Sequence, residues 1–105
     1  MEALCINRPL DNLSGDIKYR VHVRNIGWQE WKSNGDQAGT IGQVLPIEAI
    51  EIRLTGKLAT KYNVIYCMHI ANIGWQEWVS NGTIPGTLEQ ALQTEAVRIK
   101  LAEKS

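Results

Sequence analysis

The feature that most constrains this chain is that it contains itself twice. Ile17–Gly56 and Val64–Glu103 align at an offset of 47 residues, without a gap over 40 positions, and 20 of those positions are identical. The run Asn-Ile-Gly-Trp-Gln-Glu-Trp stands unchanged at Asn25–Trp31 and Asn72–Trp78. Self-similarity at such a period marks a repeat architecture, in which a unit too small to bury its own apolar face is closed by its neighbours. A partial third copy opens the chain: Glu2-Ala3-Leu4-Cys5-Ile6 matches Glu48-Ala49-Ile50-Glu51-Ile52 and Glu95-Ala96-Val97-Arg98-Ile99. It reads as the last strand of a repeat whose first part is absent. Two origins fit this: a chain cut or translated from a longer array, or an extra strand that completes a closed structure. The expected organisation is a partial repeat and linker over 1–16, repeat 1 over 17–56, a linker over 57–63 and repeat 2 over 64–105, all in one structural domain.

Each repeat begins with a period-two alternation, the mark of a half-buried strand. Ile17, Tyr19, Val21 and Val23 form one face, and Lys18, Arg20, His22 and Arg24 the other. The second copy keeps the apolar face as Val64, Tyr66, Met68 and Ile70, but its other face is Ile65, Cys67, His69 and Ala71. That apolar second face predicts a cover in repeat 2, from the N-terminal segment or another chain, where repeat 1 meets water. Ser33-Asn34-Gly35 and Ser80-Asn81-Gly82 signal turns, because Asn and Gly tolerate positive φ. The last segments alternate again, with Ile50, Ile52, Leu54 and Val97, Ile99, Leu101 as the apolar rows. Thr40–Ile47 and Thr87–Thr94 are read as loops, and the polar Thr55–Asn63 as a link holding one helical turn. The fold class is all-β: short antiparallel strands in tandem repeats, closed by packing around a common axis, β-trefoil-like or in another closed repeat fold.

Eleven basic and eleven acidic residues cancel, so nothing marks a nucleic-acid or anionic-membrane partner. No apolar run approaches the roughly 18 residues of a membrane span. The start Met-Glu-Ala-Leu-Cys has neither the basic flank nor the apolar segment of a signal peptide. Two cysteines make no disulfide framework, and two free thiols are expected. Four Trp and three Tyr against no Phe select aromatics that carry a polar handle.

At Gly27-Trp28-Gln29-Glu30-Trp31 and Gly74-Trp75-Gln76-Glu77-Trp78, flanked by Tyr19-Arg20-Val21-His22-Val23, Ala38-Gly39-Thr40 and Ile47-Glu48-Ala49-Ile50, the chain resembles the clostridial hydrophobic W repeats. The resemblance runs from Ile17 to Glu103 and takes in the partial strand Glu2–Ile6; repeat 2 departs at Pro85, Cys67 and Met68. It implies a secreted or surface location in clostridia and related Gram-positive bacteria, or the C-terminal part of a phage endolysin beside a catalytic domain. It implies attachment to the cell wall through peptidoglycan or a wall polysaccharide. Repeats of this family often occur in triplet arrays, and the resemblance therefore implies a β-prism-like fold with a pseudo-threefold arrangement. A start at Met1 in mid-repeat would suit a separately made binding module of such a lysin.

The candidate ligand-binding residues are His22, Trp28, Gln29, Glu30, Trp31 and Asn34, with their copies His69, Trp75, Gln76, Glu77, Trp78 and Asn81. An indole face stacks on the C–H groups of a sugar, and its N–H bonds a hydroxyl. Two Trp three positions apart on an extended strand fall on opposite faces, which predicts Trp28 and Trp75 in the core and Trp31 and Trp78 exposed. An amide and a carboxylate between them suit sugar hydroxyls; the plain alternative is solvated polar surface. Asn34 and Asn81 belong to turns first and to a ligand second. His22 and His69 are strand histidines or ligand donors; their spacing does not suit a metal, and no cofactor is expected. Glu2, Glu48 and Glu95 share the parity of the apolar face, which predicts bonded acceptors for backbone N–H or indole N–H groups, or else a buried functional acid.

The reading that follows is a non-catalytic wall-binding module acting outside the cell, whose partners are wall glycans, an attached catalytic domain or further copies of itself. A glycosidase would need two carboxylates about 5–10 Å apart, and Glu30 with Glu48 is the only candidate pair. The alternative is an oligomerisation or surface-assembly scaffold, to which the apolar Ile65 and Cys67 lend themselves.

Overall fold

A computed structural model describes residues 1–9, 12–84 and 92–104. The segment expected as a loop at Thr87–Thr94 lies outside these up to position 91. The regular structure of the described residues is mostly β. Strand β1 (Ala3–Cys5) precedes repeat 1, which contains β2 (Ile17–Val23), β3 (Gly27–Trp28), β4 (Lys32–Ser33), β5 (Gln37–Gly39) and β6 (Ile47–Leu54). A single short helix, α1 (Gly56–Lys61), links to repeat 2, with β7 (Tyr62–Ile70), β8 (Gly74–Trp75), β9 (Val79–Ser80) and β10 (Thr94–Glu103). The expected helical turn in the link is therefore present, anchored by the buried Leu58.

The two repeats fold alike. A long first strand sits at the centre, paired antiparallel with the last strand on one edge and with the two short tryptophan-bearing strands on the other: β2 with β6, β3 and β4, and β7 with β10, β8 and β9. These two sheets and the β1–β5 pair are all antiparallel, and none closes into a barrel among the described residues. The alternation holds in β2, where Ile17, Tyr19, Val21 and Val23 are buried. The same row in β7, Val64, Tyr66, Met68 and Ile70, joins it in one core with Ile50 and Ile52.

The turns close as their residues dictate. Asn34 and Asn81 take left-handed φ of 47° and 46°, followed by Gly35 and Gly82. Each amide then reaches back to the start of its long strand. Asn34 Oδ1 accepts from the Ile17 N–H at 3.1 Å and Asn81 Oδ1 from the Val64 N–H at 3.0 Å. Each Nδ2 donates to the side chain of the residue preceding that N–H donor, Asp16 or Asn63. Both amides pin the turn, as the turn reading expects.

The partial copy at the N-terminus does for repeat 1 what β6 does for repeat 2. The Ile6 carbonyl accepts from the Gly35 N–H at 2.8 Å, and the Ile52 carbonyl from the Gly82 N–H at 2.8 Å. Within repeat 2, burial raises the Tyr66 phenol above its ordinary pKa, so it stays neutral; it accepts from the Ile52 N–H and donates to the Thr83 carbonyl. Tyr19, likewise raised by burial, donates to the Asp36 carbonyl beside Ile6. Among the described residues the N-terminal segment pairs with repeat 1, through β1 on β5, and reaches repeat 2 where the Met1 ammonium donates to the Thr94 carbonyl at 2.8 Å. Cys67, on the apolar second face of repeat 2, is only 2% exposed within this one chain. It lies directly across from Arg98, on the face that carries the tryptophans.

Glu2 holds the loop after β5. Its carboxylate accepts from the Thr40 hydroxyl and the backbone N–H groups of Gly42, Gln43 and Val44, and Val44 accepts a left-handed φ of 56° to complete this ring of donors. The expectation of a carboxylate bonded to backbone N–H groups holds here. At Glu48 and Glu95 it does not, because both sit at register shifts in their strands. The extra residue of a bulge leaves the parity of its strand. Glu48 turns toward His22 and Arg24, and Glu95 toward His69, on the outer face.

Two predictions follow from this packing. Gly39 has φ +96°, and a Cβ there would lie 2.2 Å from the Glu2 carbonyl oxygen, whereas a Cβ on Gly42 meets nothing within 4 Å. Gly39→Ala should cost more than ~2 kcal/mol of unfolding free energy and Gly42→Ala only about 1, read by urea denaturation. The Gln43 N–H, with the other donors, lowers the Glu2 pKa below its ordinary value. A carboxylate lowered in the folded state stabilises above its unfolded pKa and loses that contribution as pH falls through the folded one. Glu2→Gln should therefore melt earlier than the parent at neutral pH, and the gap should close on acidification below about pH 4.

Candidate functional site

The tryptophans lie on the outer faces of the two four-stranded sheets, and none is in the core. This overturns the placement of Trp28 and Trp75 inside and of each pair on opposite faces. The cause is in the register. Trp28 pairs across from His22 and Lys32 from Tyr19, so Gln29, Glu30 and Trp31 stand against only Arg20 and Val21. Repeat 2 does the same, with Gln76, Glu77 and Trp78 against Cys67 and Met68. The extra residue swings the second indole back to the side of the first. The Gln29 N–H to Val21 carbonyl and Gln76 N–H to Met68 carbonyl bonds, at 3.0 and 2.8 Å, hold the excursion.

The result in repeat 1 is a layered stack. The Arg20 guanidinium lies 4.7 Å from the Trp28 ring centre and 4.9 Å from that of Trp31, and Arg53 lies 5.7 Å from Trp31. Arg20 donates through Nε and a terminal nitrogen to Glu51 Oε1, both at 2.8 Å, while Arg53 donates to Oε2 at 2.9 and 3.1 Å. Glu51 is 2% exposed, a burial that a carboxylate tolerates only with such partners. His22 meets Trp28 edge-on at 5.4 Å. Its Nδ1 lies 3.2 Å from Glu48 Oε1 but is not aligned for a hydrogen bond.

Repeat 2 keeps the stack with different residues. Arg98 lies 3.9 Å over Trp75 and Lys100 4.5 Å over Trp78. His69 meets Trp75 edge-on at 5.1 Å, and its Nδ1 bonds Glu95 Oε1 at 2.9 Å. Trp31, Trp75 and Trp78 remain about two-fifths exposed, at 38%, 41% and 44%. The sequence reading found the aromatic and imidazole members but missed the cations, since Arg20, Arg53, Arg98 and Lys100 looked like ordinary outward charges. Their spacing on alternate positions beside the tryptophan strands was the available signal.

The polar candidates divide. Gln29 Oε1 accepts from the Gly39 N–H at 2.8 Å and so braces the strand that receives β1. Gln76 Nε2 makes only a long bond of 3.5 Å to the Gly74 carbonyl. Glu30 and Glu77 are exposed. Trp28, Gln29, Glu30, Lys32, Gln37 and Gly39 line an open depression of about 530 Å³. Glu48, the proposed partner of Glu30 in a glycosidase pair, is buried and turned to His22 and Arg24, so it does not face that depression.

The same outward indole pair, built twice on the same bulged connection, is what defines this chain. A family model, clostridial hydrophobic W, matches residues 22–56 and 69–103. The chain belongs to the clostridial hydrophobic W family. Both W repeats carry their Gly-Trp dipeptide in β3 or β8, at the edge where the first indole meets its histidine. No curated protein and no solved structure gives a significant match.

Because the indoles of the W repeats pack on one sheet face and not in the core, Trp28→Ala and Trp75→Ala should each cost about 1–2 kcal/mol of stability. A core tryptophan would cost about 3–5. Chemical denaturation of the two variants separates these.

Proposed function

We propose that this chain is a non-catalytic cell-wall-binding module that recognises peptidoglycan or a wall polysaccharide outside the cell, as the targeting part of an endolysin or a secreted wall protein. The observation that carries this reading is the pair of half-exposed indoles on one face of each repeat. A pyranose offers C–H groups to an indole face and hydroxyls to the polar groups at its rim, here Glu30, Glu77 and the free side of the cations. The family is a repeat module. Single sugar sites bind weakly. Two on one compact chain gain from effective concentration on a repetitive wall.

A second reading, a surface-assembly scaffold, draws on a different observation. The apolar rows of β6 are sealed, with Ile50 and Ile52 at 0% exposure, while Val97, Ile99 and Leu101 of β10 are only half-buried. A further repeat packed there, from the same chain or another copy, would give the three-sided prism expected from triplet arrays.

Co-sedimentation with purified clostridial walls tests both. On the wall-binding reading, Trp31→Ala or Trp78→Ala lowers adsorption about tenfold, the double variant abolishes it, and mass in solution is unchanged. Unaltered adsorption in the folded double variant overturns it. A change in oligomeric mass favours the scaffold.

A further inference from the structure

The two tryptophan surfaces share a shape but not a charge. In repeat 1, β2 supplies Arg20 and β6 supplies Glu51 directly across from it. In repeat 2, the matching positions hold Cys67 on β7 and Arg98 on β10. The cation has moved to the opposite strand, it still lies over the first indole, and the acid has gone. The next cross-strand pair shifts similarly, from Lys18 with Arg53 to Ile65 with Lys100.

The consequence is electrostatic. In repeat 1 the donors of Arg20 and Arg53 converge on the two oxygens of Glu51, and Arg24 pairs with Glu48. In repeat 2, among the described residues, neither Arg98 nor Lys100 has an acid within ion-pair distance, and both side chains sit on exposed positions of β10. The nearby acids do not alter this. Glu95 is bonded to His69, and Glu77 stands in the connection between the tryptophans without pairing to either cation. Arg98 holds its Cζ 3.9 Å over the Trp75 ring centre, with none of its N–H donors taken by an acid among the described residues. That arrangement suits bidentate capture of a phosphate or carboxylate by Arg98, with Lys100 as a second point charge beside it.

We propose that the Trp75–Trp78 surface of repeat 2 binds an anion-bearing wall glycan. Arg98 and Lys100 hold the phosphate or carboxylate, and the indoles hold the adjoining sugar or polyol. Repeat 1, whose Arg20 and Arg53 both spend donors on the one Glu51 carboxylate, takes the uncharged part of the polymer. This rests on the wall-binding reading and names the ligand class for one of its two surfaces.

The test is a titration of the full chain, followed by tryptophan fluorescence, with three probes: poly(glycerol phosphate), glycan strands carrying free N-acetylmuramic acid carboxylates, and neutral N-acetylglucosamine oligomers. The expected result is binding to at least one anionic probe that falls about tenfold between low and high salt, and about tenfold again in Arg98→Gln/Lys100→Gln. The neutral oligomer should be unaffected by either change. Preference between the first two probes separates a phosphodiester source from a carboxylate one. A Lys57→Gln/Lys104→Gln control removes the same charge at exposed positions away from both tryptophan surfaces and should bind as the parent. Cys67→Arg/Arg98→Glu rebuilds the repeat 1 pair on repeat 2 and should lose the anion while keeping a cation over Trp75. Each variant is first shown to melt cooperatively. If Arg98→Gln/Lys100→Gln is folded and binds both anionic probes like the parent, the inference is overturned while whole-wall binding still stands. If the parent binds neither anionic probe but adsorbs to walls, the inference again fails alone. Failure to adsorb to walls at all would instead remove the reading beneath it.

Discussion

One interaction organises the chain: the last strand of each unit is the lid of the next. The Ile6 and Ile52 carbonyls accept from Gly35 and Gly82, the tyrosine of each long strand reaches the same junction, and the apolar rows interlock beneath. Strand β6 shows what this demands. From Ile47 to Ile52 every residue is buried, because one side packs into the core between repeats and the other lies under the arginine and tryptophan stack. A strand of that kind cannot face water on either side, so it must carry Glu51 only with two guanidiniums in attendance. The outer surface and the core are thus coupled through one strand.

Much of this was legible. Period-two alternation placed Tyr19, Val21, Tyr66 and Met68 inward, and the Ser-Asn-Gly turns formed where positive φ was available. What escaped was every consequence of an inserted residue. Alternation assumes an unbroken strand, and a bulge reverses parity without requiring any particular residue type. So Glu48 and Glu95 moved to the outer face, and Trp28 joined Trp31 on one side. The gain in both cases is the same, since a re-aimed side chain on the outer face can meet cross-strand partners that a regular strand would keep from it. The arginines escaped for another reason. A charge on a solvent face reads as solubility until a ring is found beneath it.

The repeats also show two solutions to one packing requirement. An indole on the outer face of a sheet loses water from its ring when a long cationic side chain packs over it. Repeat 1 achieves this with Arg20 from the first strand and an acid opposite, repeat 2 with Arg98 from the last strand and a thiol opposite. Cys67 can be small and buried because the long side chain now arrives from across the ladder. Half the aligned residues differ between the copies, yet the ring geometry at histidine and tryptophan agrees to within 0.3 Å in centroid distance, with the same 82° between planes.

The order of lid and client along the chain has a consequence for how the protein is made. β1 precedes repeat 1, and β6 precedes repeat 2. A ribosome therefore always releases the template before the hairpins that dock on it, and each unit emerges into the presence of a finished edge. The reverse also holds. Once β6 has left the tunnel, its Ile50 and Ile52 row lacks the part of its cover that Val64, Tyr66 and Met68 supply until the next repeat has been synthesised. At about 5–20 residues per second, one repeat length corresponds to roughly 2–10 s of exposure. During nascent-chain folding, this strand is where chaperone contact or mispairing between neighbouring polysomal chains would concentrate.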